Sequence, residues 1–72
     1  MDNETLIRMA NQIADFFAPY TEEEGIQGVA DHLTNFWEPR MRRQILSMDE
    51  KAREGLSPMV QSALERLSMP AG

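Results

Sequence analysis

The stretch Gly28-Val29-Ala30-Asp31-His32-Leu33-Thr34-Asn35-Phe36-Trp37-Glu38-Pro39-Arg40-Met41 decides how this chain folds. It holds the only Trp and the only His, and a Pro interrupts it. Val29, Ala30, Leu33 and Trp37 recur at helical spacing and continue a stripe begun by Ile26, with Phe36 at its margin. Pro39 has no amide to donate, so it suits the first turn of a new helix. The stretch therefore reads as the end of one amphipathic helix and the start of the next.

Upstream, Thr21-Glu22-Glu23-Glu24 has the spacing of a capping box. The Thr hydroxyl can accept from the Glu24 amide while the Glu24 carboxylate reaches back to the Thr21 amide. Three acids in that first turn also complement the helix dipole, which accounts for the acidic run better than a cation site does. The expected helix runs from about 22 to 37. Gly25 and Gly28 lie inside it, where each costs about 1 kcal/mol against Ala. Gly28, His32 and Phe36 form a row beside the apolar stripe. A Gly in such a row permits close approach by another helix of the domain or by a partner.

A further stripe precedes this one. Leu6, Met9, Ala10, Ile13, Phe16 and Phe17 follow at helical spacing, Asn3 can cap their helix, and Pro19 stops it. The expected span is about 4–17. Displaced by 20 residues, these positions and Pro19 correspond to Ile26, Val29, Ala30, Leu33, Phe36, Trp37 and Pro39. Two matched stripes joined by a short loop imply an antiparallel helical hairpin. One matched pair does not make a repeat architecture, which needs three or more units.

Downstream of Pro39, Met41, Ile45, Met48 and Ala52 share a face. Ser47-Met48-Asp49-Glu50 offers a second capping box. The expectation is nonetheless one helix from about 39 to 53, ended by Gly55 as a left-handed cap. Arg40 and Arg43 stand at the start of that helix, where cations are locally unfavourable and invite a compensating partner. Arg42 can pair with Glu38 four residues earlier. Ser57 and Pro58 read as cap and first residue of a last helix, about 58–68, with Val60, Ala63, Leu64 and Leu67 inward. Residues 69–72 should fray. The fold class is all-α: a single domain over 1–72, a small bundle of about four helices built on the N-terminal hairpin.

Composition narrows the function. In 72 residues there is no Cys, so there is no disulfide, thiol nucleophile or Cys-held metal. One His makes an all-protein metal cage implausible, and His32 reads as a flank histidine without a positioned catalytic neighbour. Residues 1–38 carry eight acids against Arg8, while residues 39–72 are slightly basic; the net charge is -5. That balance argues against nucleic-acid binding. No apolar run approaches the ~20 residues of a membrane span. The first residues lack the basic start and apolar run of a secretion signal, so the expected location is the cytoplasm. Six Met suit an adaptable core or partner surface.

Four blocks carry a family resemblance. They are Leu6-Ile7-Arg8-Met9-Ala10-Asn11-Gln12-Ile13-Ala14 with Phe16-Phe17, Gly28-Val29-Ala30-Asp31-His32-Leu33, Phe36-Trp37-Glu38-Pro39-Arg40-Met41-Arg42, and Gly55-Leu56-Ser57-Pro58-Met59-Val60. Together they resemble the small delta subunit of the soluble, NAD-dependent, molybdenum-containing formate dehydrogenases of bacteria, over about residues 5–67. The resemblance implies a subunit of a cytoplasmic complex that oxidises formate to carbon dioxide and reduces NAD. It places molybdopterin guanine dinucleotide, iron–sulfur clusters and FMN in other subunits, and no cofactor in this chain. The absence of Cys and of a Gly-rich dinucleotide loop agrees with that division.

The resulting expectation is an accessory subunit with no catalytic, cofactor or metal site, bound to the large catalytic subunit and stabilising or assembling it. A transient maturation factor for molybdenum cofactor insertion and a free-standing helical interaction module are the alternatives. The expected partner-binding residues are Phe36, Trp37, Pro39, Arg40, Met41 and Arg43, because rigid apolar groups and arginines concentrate at interface hot spots. Gly28 and His32, in the row with Phe36, are the second choice.

Overall fold

Four of the five helices in residues 1–67 start at a side-chain cap, and the third, which has none, starts at Pro39. The computed structural model describes residues 1–67. It contains α1 (Asn3–Phe16), α2 (Glu22–Phe36), α3 (Pro39–Leu46), α4 (Glu50–Arg53) and α5 (Pro58–Leu64), with no strand among the described residues. The fold is an all-α bundle. The expected end of the last helix at Ser68 and the expected fraying of 69–72 lie outside the described residues.

α1 is capped by Asp2, whose carboxylate accepts from the Thr5 amide at 2.8 Å; Asn3 is the first helical residue rather than the cap. The capping box of α2 forms as its sequence demands, with Glu24 N donating to Thr21 Oγ1 and Thr21 N donating to the Glu24 carboxylate. Pro39 and Pro58 each occupy a first turn, and Ser57 caps α5 by accepting from the Val60 amide.

The expected single helix from 39 to 53 is broken in two. α3 ends at Leu46, and Asp49, not Ser47, caps α4 by accepting from the Ala52 amide at 2.8 Å. An Asp with extended backbone satisfies an orphan amide that a continuous helix would leave to a carbonyl. The break also turns Met48 into the core, where it is 7 % exposed. Arg53 then reaches back so that its Nη2 donates to the Leu46 carbonyl at 2.7 Å, closing the end of α3. Gly55 is not a left-handed cap. Its role is contact: a Cβ there would meet Ile7 Cγ2 at 3.3 Å.

The core is drawn from every helix except α4. Leu6, Ala10 and Ala14 come from α1, with Ile26, Val29, Ala30 and Leu33 from α2. Ile45 and Met48 complete it from one side, and Leu56, Val60, Ala63 and Leu64 from the other. α2 packs most extensively against α5, while α1 lies against α2, α3 and α5. Gly25 lies close under α5: a Cβ there would stand 2.7 Å from Met59 Cε, the far end of a flexible side chain. Asn11 joins α1 to the turn before α5: its Nδ2 donates to Gly55 O and its Oδ1 accepts from Ser57 N, both at 2.9 Å. At the other end of α1, Gln44 Nε2 donates to Met1 O at 2.6 Å and to Asn3 Oδ1 at 3.1 Å.

Candidate partner-binding groove

Two doubled aromatics, Phe16-Phe17 and Phe36-Trp37, close the apolar stripes of α1 and α2. Neighbouring helical residues point about 100° apart, so both members of a pair cannot face one core. In each pair the second residue turns inward. Trp37 is buried, at 6 % exposure, and Phe17 is half-buried. The first of each pair is left outside: Phe16 is 69 % exposed and Phe36 is 74 % exposed.

Between these rings runs an open groove of about 590 Å³. From α1 it is lined by Met9, Gln12, Ile13 and Phe16, and Phe17 follows. From α2 it is lined by His32 and Phe36, with Trp37 beyond. Aromatic contacts hold the walls. Phe16 meets Phe17 edge-on at 5.1 Å, Phe17 lies 5.4 Å from Tyr20, and His32 stacks on Phe36 at 4.9 Å. Met9, Ile13 and Phe17 are only half-buried because they face this groove. The fully enclosed line of α1 is instead Leu6, Ala10 and Ala14.

The residues singled out in the sequence divide between this groove and the α2–α3 corner. Phe36 is on the surface, Trp37 belongs to the core beneath it, and Pro39 and Arg40 are exposed. Met41 and Arg43 are half-buried. Because α3 is short, Arg43 lies in its last turn, where a cation is favourable, so the expected dipole misfit applies to Arg40 and not to Arg43. Arg42 closes α2: its Nη1 donates to the carbonyls of Thr34 and Trp37, rather than pairing with Glu38. Gly28 is covered from within the chain, by the Phe17 ring. His32 is half-buried against Phe36.

Sequence reasoning left out the α1 side of the groove, formed by Met9, Gln12, Ile13 and Phe16. The signal for it was present in the Phe16-Phe17 doublet, whose first ring has no inward path. The matched offset pairs Phe16 with Phe36, and these are the most exposed rings among the described residues, ahead of Tyr20 at 50 %.

Electrostatically the hairpin is acidic. Glu23 is engaged by Arg66, whose Nη1 and Nη2 donate to its carboxylate at 2.6 and 2.8 Å. Hydrogen bonding from Arg66, with its charge, holds the Glu23 carboxyl below the usual range and raises the guanidinium of Arg66. The other acids of the hairpin include Asp15, Glu22, Glu24 and Asp31, all exposed. Asp31 accepts from Gln27 Nε2 at 2.8 Å.

There is no Cys, and among the described residues no three His, Cys, Asp or Glu converge on a metal position. No helix among the described residues is long and apolar enough to cross a membrane. What the surface offers is an apolar groove with exposed aromatic walls.

Residues 5–64 match the model of the family described as NADH-dependent formate dehydrogenase delta subunit, FdsD. The chain belongs to that family. No curated protein and no solved structure matches it.

Proposed function

We propose that this formate dehydrogenase delta subunit is a noncatalytic accessory subunit that binds and stabilises the large molybdenum-containing subunit of a cytoplasmic, NAD-reducing complex. The family match supplies the complex. The observation that carries the accessory role is the pair of exposed rings, Phe16 and Phe36, beside an open apolar groove. Exposed aromatics flanking an apolar groove mark a surface that a partner covers. Molybdopterin guanine dinucleotide, iron–sulfur clusters and FMN belong to the other subunits in this reading.

The docking surface centres on Phe36. Pro39 and Arg40 stand exposed beside it, with Met41 and Arg43 half-buried at the same corner. Trp37 supports the corner from inside, His32 braces the Phe36 ring, and Gly28 seats Phe17.

The test is to produce the large subunit with and without this chain. The reading expects a lower yield and a lower Tm of the large subunit when the chain is omitted, and no formate-dependent NAD reduction by the purified chain alone. Equal yield and Tm without the chain, or turnover by the chain itself, would overturn it.

A further inference from the structure

Phe36 is the last residue of α2 and stands in solvent, so burial does not fix its place. We propose that Arg42 does: it is the positioning residue of the docking corner and holds the Phe36 ring ready for the large subunit. The inference rests on the reading of Phe36 as the centre of the docking surface.

A helix end leaves its last carbonyls without intrahelical donors. In a continuing helix Thr34 O would accept from the amide of residue 38. Here the chain turns extended at Trp37 and Glu38, with ψ of 139° and 149°. Arg42, one turn into α3, fills the gap: its Nη1 donates to Thr34 O and to Trp37 O. These carbonyls lie two residues before Phe36 and one residue after it. A single nitrogen therefore pins the backbone on both sides of the ring.

Charge favours the same arrangement. The C-terminal end of a helix is negative, and α2 has no basic residue in its own last turn. Arg42 brings the cation from the next helix. Its planar group presents fixed donors and keeps its charge, which an ammonium on a flexible stem does not reproduce.

The other supports of Phe36 depend on this one. His32 stacks on the ring at 4.9 Å from the preceding turn, and buried Trp37 anchors the chain just after it. Both contacts require the last turn of α2 to keep its shape. Without Arg42 that turn loses donors for its carbonyls and frays, and the ring is no longer held in one place. Binding must then order it, so affinity falls.

The experiment measures the affinity of the full chain for the large subunit by calorimetry, for the unmodified chain, Arg42→Ala, Phe36→Ser and the double variant. Arg42→Ala should bind at least about fivefold more weakly while keeping its helicity. In the Phe36→Ser background the same change should cost no further affinity, because Arg42 acts through that ring. Equal losses with and without the ring, or undiminished affinity in folded Arg42→Ala, would overturn the inference and leave the docking reading standing. No binding by the unmodified chain, or undiminished affinity in folded Phe36→Ser, would overturn the docking reading and the inference with it. Should Arg42→Ala fail to fold, Arg42→Lys takes its place in the same cycle: it keeps a cation at the end of α2 without the planar group, and the same outcomes decide. A second arm needs no partner. In NMR spectra of the free full chain, the contacts between the His32 and Phe36 rings should weaken in the Arg42 variant while the Leu6 and Val60 resonances stay in place. Ring contacts that persist unchanged would overturn the inference whatever the affinities.

Discussion

The Phe17 ring occupies the space that a side chain at Gly28 would need. A Cβ at position 28 would stand 2.7 Å from Phe17 Cζ and 2.8 Å from Cδ1. The glycine thus accepts a helix-interior cost so that α1 can lay an aromatic across α2. That ring is also part of the groove, so one contact links packing of the hairpin to the shape of the surface.

Gly28→Ala tests this link. Alanine gains about 1 kcal/mol of helix propensity. It must also displace the Phe17 ring, and overpacking of this kind costs about 1–3 kcal/mol. The expected net effect is a lower Tm, partly recovered by adding Phe17→Leu. A Tm raised by Gly28→Ala alone would show that the ring moves aside freely.

Leu33 is fully buried in the last turn of α2. Leu33→Ala should destabilise by about 2–4 kcal/mol, enough to unfold much of a domain this small. Ile13→Ala should cost less, because Ile13 is half-buried at the groove and leaves no closed cavity. Denaturant titration of the two variants gives the comparison, and equal losses would contradict the assignment of Ile13 to the groove.

Asn11 ties α1 to the start of α5 through Gly55 O and Ser57 N. Asn11→Ala removes both bonds and should cost about 1–3 kcal/mol. Asn11→Asp keeps the acceptor for Ser57 N but sets a carboxylate against the Gly55 carbonyl, so it should not rescue the loss. Urea midpoints of the two variants check this, and a neutral Asn11→Ala would show that the turn holds by packing alone.

Acidification should weaken the fold through Glu23 and Asp2. Hydrogen bonding with Arg66 holds the Glu23 carboxyl below its ordinary value of 4.5, and hydrogen bonding with Thr5 does the same for Asp2. A carboxyl depressed in the folded state contributes its stability above the unfolded pKa. That contribution is lost as pH falls through the folded value. Both groups are exposed, so the effect is small and salt-sensitive. Tm measured against pH should show the unmodified chain and Glu23→Gln converging in acid. A difference that persists undiminished well below the folded pKa would contradict the Glu23–Arg66 account.

The sequence disclosed the elements that depend on local rules. Thr21 with Glu24, Pro39, and Ser57 with Pro58 marked three helix starts, and each is where the spacing put it. The inward stripe of α2 was legible because Ile26, Val29, Ala30, Leu33 and Trp37 repeat on one face. The break after Leu46 was harder, because Ser47 and Asp49 both offer a cap. The choice depends on burying Met48 and on Arg53 closing the carbonyl end, which are tertiary events. The groove was only half legible. Phe36 and His32 belonged to a visible row, but Met9, Ile13 and Phe17 share an apolar stripe with the true core. Nothing in their spacing says that α5 packs on α1 while their side stays open.

The central claim is that this chain is a lasting accessory subunit, and it is tested most directly by native mass spectrometry of active formate dehydrogenase purified from cells, with metal content measured on the same sample. The account predicts the chain in fixed stoichiometry on the large subunit in molybdenum-loaded, active enzyme. Active, loaded enzyme without the chain, together with cofactor-free large subunit that retains it, would contradict the account and identify a transient maturation factor instead.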